Sequence, residues 1–91
     1  MKKITIFYMS DCPYCHSAQK ALAELKAEKP EYLGIEMEWI EERRQPDLAE
    51  RYDYYYVPSI FSGNQKLYEA DPSEDYASIK ANVRKALDAV L

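Results

Sequence analysis

The sequence predicts an α/β domain with the element order β-α-β-α-β-β-α. Three observations carry that prediction. A β-branched and aromatic run, Lys3 to Met9, leads straight into a helical pattern that Pro13 opens. A second run, Ile35 to Trp39, alternates apolar and acidic residues at the period of a strand. Two short apolar segments then flank Gly63-Asn64, and helical spacing follows to the C-terminus. The 91 residues make one domain, 1–91, large enough for a single small core.

Both faces of the Lys3–Met9 run are largely apolar, so this strand is expected at the centre of a sheet covered on both sides. Pro13 suits the first turn of a helix, where a missing N–H costs nothing. Ala18, Ala21, Leu22 and Leu25 share one face of that helix, and Pro30 and Gly34 bracket its exit. Ile35, Met37 and Trp39 face inward while Glu36 and Glu38 face water, the pattern of an edge strand. Two parallel strands joined by a helix form a right-handed βαβ unit. Glu41 to Arg44 reads as a charged loop. Pro46 opens a second helix, with Leu48 and Tyr52 one turn apart on one side.

Ser59-Ile60-Phe61 and Lys66-Leu67-Tyr68 form a hairpin, for which Gly63-Asn64 supplies positive φ angles. Asp71-Pro72-Ser73-Glu74 has the composition of a helix start: a capping Asp, Pro at the first position and Glu three residues after the cap. Tyr76, Ile79, Val83, Leu87 and Val90 then recur at helical spacing.

Composition narrows the function. No apolar run approaches the roughly 20 residues of a membrane span, and the basic start with its short apolar run reads as a first strand rather than a secretion signal. A cytoplasmic chain with no membrane partner is expected. The net charge of −4 argues against a nucleic-acid partner. The acidic residues Glu36, Glu38, Glu41, Glu42, Glu69, Asp71, Glu74 and Asp75 read as solvated faces, with selection of a basic partner as the alternative.

The chemistry concentrates in Asp11-Cys12-Pro13-Tyr14-Cys15, which holds both cysteines. Paired thiols at short spacing in a reducing compartment point to redox chemistry or metal rather than to a structural crosslink. Cys12 falls at a helix N-terminus, where partial positive charge favours a thiolate. Cys15 stands one turn further on. Cys12 is the candidate attacking thiol, and Cys15 the candidate resolving thiol. That chemistry needs no metal and no tightly bound cofactor. Other readings stay open. Cys12-x-x-Cys15-His16 also matches a c-type haem attachment motif, which would make the chain an electron carrier with Met37 as a second axial ligand. A structural zinc site needs four ligands, and the two thiols plus His16 make three. An inert buried pair is the remaining alternative.

Together, Cys12-Pro13-Tyr14-Cys15 after a first strand, Val57-Pro58 opening the third, and the hairpin and helix beyond resemble the glutaredoxin branch of the thioredoxin-like fold. The resemblance covers essentially the whole chain. It implies a four-stranded mixed sheet in the order 2-1-3-4, flanked by three helices, with a cis peptide before Pro58 beside the cysteines. It implies a thiol–disulfide oxidoreductase acting on protein or mixed disulfides, with Tyr14, Tyr56, Val57, Pro58 and Tyr68 as candidate substrate contacts. Electrons would come from glutathione or a flavoprotein reductase. The alternatives are a thioredoxin-type donor to one specific enzyme or a redox-regulated binding domain. A monomer is expected.

The sequence also departs from that family's pattern. Met9 stands where a Lys often precedes the first cysteine by three residues, and Asp11 adds an anion beside Cys12; both disfavour a thiolate there. Tyr56 replaces the Thr before Val-Pro, and Tyr68 and Glu69 replace a Gly-Gly pair after the hairpin. Asp71 stands near the place of a glutathione-binding acid. Tyr68 and Glu69 would fill the space and repel the charge of a peptide carboxylate, which argues against glutathione as the natural partner. Tyr14, Tyr54, Tyr55, Tyr56 and Tyr68 could wall the cysteines; alternatively, alternate members of the 54–56 run pack inward.

Overall fold

The computed structural model describes residues 2–91, and Met1, the first residue of the expected domain, lies outside them. The elements are β1 (Lys3–Tyr8), α1 (Pro13–Glu28), β2 (Glu36–Glu41), α2 (Pro46–Ala49), β3 (Ser59–Ser62), β4 (Gln65–Glu69) and α3 (Tyr76–Val90). A 3-10 turn over Pro30–Gly34, unforeseen in the sequence, joins α1 to β2. The order matches the expectation. The sheet runs β2-β1-β3-β4, with β1 parallel to β2 and antiparallel to β3, and β3 antiparallel to β4. This is the mixed sheet that the thioredoxin-like resemblance implies.

β1 is central because both of its faces are apolar. Ile4 and Ile6 pack into a cluster with Ala18, Leu22 and Leu25 of α1 and Ile79, Val83 and Leu87 of α3. Phe7 points to the opposite face and meets Ile40, Phe61, Tyr52 and Tyr54. Its ring centroid lies 4.7 Å from that of Tyr52 and 5.0 Å from that of Tyr54. Such pairs add about 0.5–1.5 kcal/mol beyond simple burial. β2 is an edge strand, as its alternation predicts, with Glu36 and Glu38 exposed. Its far end differs: Ile40 sits on the same face as those glutamates but is buried, because the aromatic cluster covers that face only there.

Two local expectations need correction, and the hairpin pairs irregularly. In the hairpin only Gly63 has positive φ, at +58°, and Asn64 does not. The requirement therefore falls on the first loop residue alone, as in a II′ turn. The pairing shifts between Ile60 and Phe61, since Ile60 opposes Tyr68 while Phe61 opposes Lys66. The extra residue, Leu67, forms a bulge, so that Leu67 and Tyr68 both reach the α1–α3 cluster although they are consecutive. Finally, α3 begins at Tyr76, capped by Asp75, whose carboxylate accepts the Ser78 N–H at 2.8 Å. Asp71 instead closes its own turn, accepting the Ser73 N–H at 2.9 Å. Pro72 and Ser73 follow it as turn rather than helix.

Asp75→Ala should therefore lower stability by about 1 kcal/mol, the usual cost of losing a side-chain N-cap. Asp71→Ala should cost less, because no helix follows its turn directly. Urea denaturation of both variants measures the difference.

Candidate active site

The chain leaves β1 at Tyr8 and reaches α1 through a short turn closed by the Cys12 N–H to the Met9 carbonyl at 3.2 Å. Cys12 is the N-cap residue of α1, with extended backbone and Pro13 following. Its sulfur takes the place of a capping oxygen and accepts the Cys15 N–H at 3.2 Å. Among the described residues both cysteines are free thiols. From the other side, the Val57 carbonyl lies 3.7 Å from Cys12 Sγ and accepts from its thiol. The Val57–Pro58 peptide is cis. Phe7 pairs with Ser59 across the sheet, which places Val57-Pro58 beside the turn that ends β1.

Both thiols are buried, Cys12 with 7% of its surface exposed and Cys15 with none. Cys15 is the deeper of the two. Burial first, then its interaction with Cys12, pushes its thiol up to about 12. His16 turns its ring outward, with Nε2–H donating to the Ser10 carbonyl at 2.7 Å. Met37, the sequence's candidate haem ligand, packs against the core from β2. Among the described residues no group of three or more His, Cys, Asp or Glu is placed to hold a metal ion. No helix of the described residues is long and apolar enough to cross a membrane.

The tyrosines do not form one wall. Tyr54 packs into the aromatic cluster of the far face, and its hydroxyl donates to Glu42 at 2.6 Å. Tyr55 and Tyr56 are both exposed, so the 54–56 run does not alternate. Tyr14 packs at the edge of the α1–α3 cluster and donates its hydroxyl to the Pro72 carbonyl. Tyr68, expected as a substrate contact, is buried in that cluster with its hydroxyl on Glu74 at 2.6 Å. Burial, followed by the Glu74 carboxylate, raises the Tyr68 hydroxyl well above its ordinary range.

An open groove of about 380 Å³ is lined by Tyr55, Tyr56, Glu69, Ala70, Asp71 and Pro72. Neither thiol lines it; Tyr56 adjoins Val57, whose carbonyl meets Cys12, and Pro72 accepts the Tyr14 hydroxyl. Glu69 Oε2 accepts the N–H groups of Tyr55 and Tyr56 at 2.6 and 2.8 Å, and Oε1 takes Lys66 Nζ at 2.7 Å. Burial opposes its charge, but these donors win, and Glu69 is held below the usual carboxylate range.

A second carboxylate departs from its sequence reading. Glu41 is the last residue of β2, not part of a loop, and it is buried. It accepts the Arg43 guanidinium at 2.8 Å and the Ser10 N–H at 3.0 Å. Arg43 also pairs with Asp11 at 3.0 Å. Nothing in the pattern Glu41-Glu42-Arg43-Arg44 separates this clamp from solvated charge, because the signal is the burial of one side chain.

The Arg43 side chain, followed by the Ser10 N–H, pulls the Glu41 carboxyl down from 4.5 to about 2. A depressed folded-state value gives stability that is present above the unfolded value and lost as pH falls toward the folded one. Glu41→Gln should therefore be less stable than the parent at pH 7. The gap should narrow between about pH 5 and pH 2, the window of that shift. Denaturation of both proteins at pH 7 and pH 3 checks this; a gap independent of pH would contradict it.

Comparison with known proteins fits this geometry. The glutaredoxin family model matches residues 4–67. A solved chain described as the structure of a malarial protein superposes with a TM-score of 0.59, covering 93% of this chain and 96% of that one. At 18% identity that likeness shows the fold alone. No curated protein matches. With the family model covering more than half of the sequence, and the two thiols and the cis-proline side by side, this chain belongs to the glutaredoxin family, whose chemistry is thiol–disulfide exchange.

Proposed function

We propose that this chain reduces protein disulfides, with Cys12 as the attacking thiol and Cys15 as the resolving thiol. The observation that carries the reading is the division between them. Cys12, buried but with 7% of its surface exposed, caps α1 and accepts the Cys15 N–H, whereas Cys15 has no exposure and its proton is held to about 12. The Cys12 thiolate attacks one sulfur of a substrate disulfide. A mixed disulfide forms, the substrate S–S bond breaks, and the leaving sulfur takes a proton. Cys15 then gives up its proton and attacks Cys12 Sγ. The Cys12–Cys15 bond forms and the second substrate thiol leaves. The substrate gains two electrons and the chain loses two.

The Val57 carbonyl meets Cys12. Tyr56 and Pro58 flank Val57 in sequence and Tyr14 follows Pro13, whereas Tyr68 is buried with its hydroxyl on Glu74 and is not a substrate contact. A protein segment, rather than glutathione, suits this setting. The N–H groups of Tyr55 and Tyr56 that could receive a substrate carboxylate are taken by Glu69. Asp71 adds a further negative charge to the groove. We therefore assign regeneration to a flavoprotein reductase in the cytoplasm, and glutathione at most a minor role.

The test supplies the oxidised protein with NADPH and either thioredoxin reductase, or glutathione with glutathione reductase. The first arm should turn over faster. Cys12→Ser should abolish both arms. Cys15→Ser should stop at a covalent adduct with a disulfide-bearing peptide, visible by mass. If Cys12→Ser keeps its turnover, the assignment fails.

Glu69→Ala tests the glutathione argument. It should raise the glutathione arm about tenfold, the order set by freeing donors for one charge-assisted hydrogen bond. An unchanged rate would remove Glu69 from substrate selection.

A further inference from the structure

We infer that Arg43, held by Glu41, is a positioning residue that fixes the Ser10–Asp11 turn and offsets the Asp11 charge beside Cys12. The inference rests on Cys12 being the attacking thiol. Arg43 Nη2 lies 3.0 Å from Asp11 Oδ1 and 3.1 Å from Ser10 Oγ. Its Nη1 lies 3.4 Å from Asp11 Oδ2. The same guanidinium is anchored inward: Nη2 and Nε meet Glu41 Oε2 at 2.8 and 3.2 Å, and the Arg43 N–H meets Oε1 at 2.7 Å. Glu41 Oε2 also takes the Ser10 N–H at 3.0 Å. The side chain of Glu41 is only 8% exposed, so the inner end of the clamp is fixed while its outer end reaches water.

The end of β2 thus grips the two residues that directly precede the nucleophile. Ser10 is held by its N–H, by its hydroxyl and, through the His16 ring, by its carbonyl. A turn so restrained sets where Cys12 Sγ sits against the Val57 carbonyl and the α1 N-terminus.

The second effect is electrostatic. The charged and titratable groups around Cys12 are Asp11, Tyr14, Cys15 and His16 from its own turn and helix, Glu41, Glu42 and Arg43 from the end of β2 and just beyond, and Tyr56 beside Val57. Of these, Asp11 adjoins Cys12 in sequence and carries a charge of the wrong sign for a thiolate. Arg43 lies against that charge. Glu42 is engaged by the Tyr54 hydroxyl.

The experiment follows alkylation of Cys12 by iodoacetamide near pH 7 at low salt, in a Cys15→Ser background so that one thiol reports. Arg43→Ala should slow the reaction about threefold, the order for one exposed charge several ångströms away in water. Adding Asp11→Asn to it should restore the parent rate, and Arg43→Lys should keep most of it. In about 0.5 M salt the Arg43→Ala effect should shrink, since exposed charges are screened. An unchanged rate in Arg43→Ala overturns the inference. So does a slowing that neither Asp11→Asn nor salt reverses, because that is lost structure without a charge effect. If Cys12 in the parent background resists alkylation, the assignment of the attacking thiol falls first and this inference with it.

Discussion

Ile4, Ile6 and Phe7 have no accessible surface, and this two-sided burial of β1 is the constraint from which the site's position follows. A parallel partner, β2, needs a crossover helix, and the right-handed crossover brings α1 back over one face. The N-terminus of α1 therefore lies at the C-terminal edge of β1. On the other side β3 runs antiparallel, so its start lies where β1 ends. Register pairs Phe7 with Ser59, and the cis Val57–Pro58 peptide directly precedes that pair. The nucleophile's turn and the proline loop meet because the sheet is mixed at its centre. Neither segment needs to be long to reach the other.

Two buried or half-buried carboxylates then set the details. Glu41 and Glu69 each accept backbone N–H groups from a loop at the site, Ser10 and Arg43 in one case, Tyr55 and Tyr56 in the other. Each is also met by a cation, Arg43 or Lys66. A carboxylate in this setting behaves as a structural acceptor, and charged acceptors make hydrogen bonds worth about 1.5–3 kcal/mol. The two differ in consequence. Glu41 lends its partner, Arg43, to Asp11 beside the thiol. Glu69 withdraws two donors from the groove.

The fold was legible because it is written in periodicity. The apolar run of β1, the alternation of Glu36 and Glu38 with Met37 and Trp39, and the helical spacing of Ile79, Val83 and Leu87 each belong to one element and need no tertiary knowledge. The strand order is implied by the family resemblance that Cys12-Pro13-Tyr14-Cys15 and Val57-Pro58 carry. What stayed hidden depends on contacts between distant segments. The start of α3 was misread at Asp71 because two acids, Asp71 and Asp75, have similar capping chemistry. Tyr68 was misplaced because a bulge at Leu67 turns it inward. The Glu41–Arg43–Asp11 clamp joins residues about 30 positions apart, and in sequence it is indistinguishable from solvated charge.

In the proposed chemistry a spacing of three residues divides one exchange into ordered steps. Cys12 Sγ is at once the candidate nucleophile and the cap of α1. That sulfur accepts the Cys15 N–H at 3.2 Å, so the second thiol is tied to the first through the first turn of the helix. The Cys15 proton is held first by burial and then by Cys12 beside it. Only the second of these holds is lifted if Cys12 is bound to a substrate sulfur, so in the proposed order the interior around Cys15 still sets the cost of resolution.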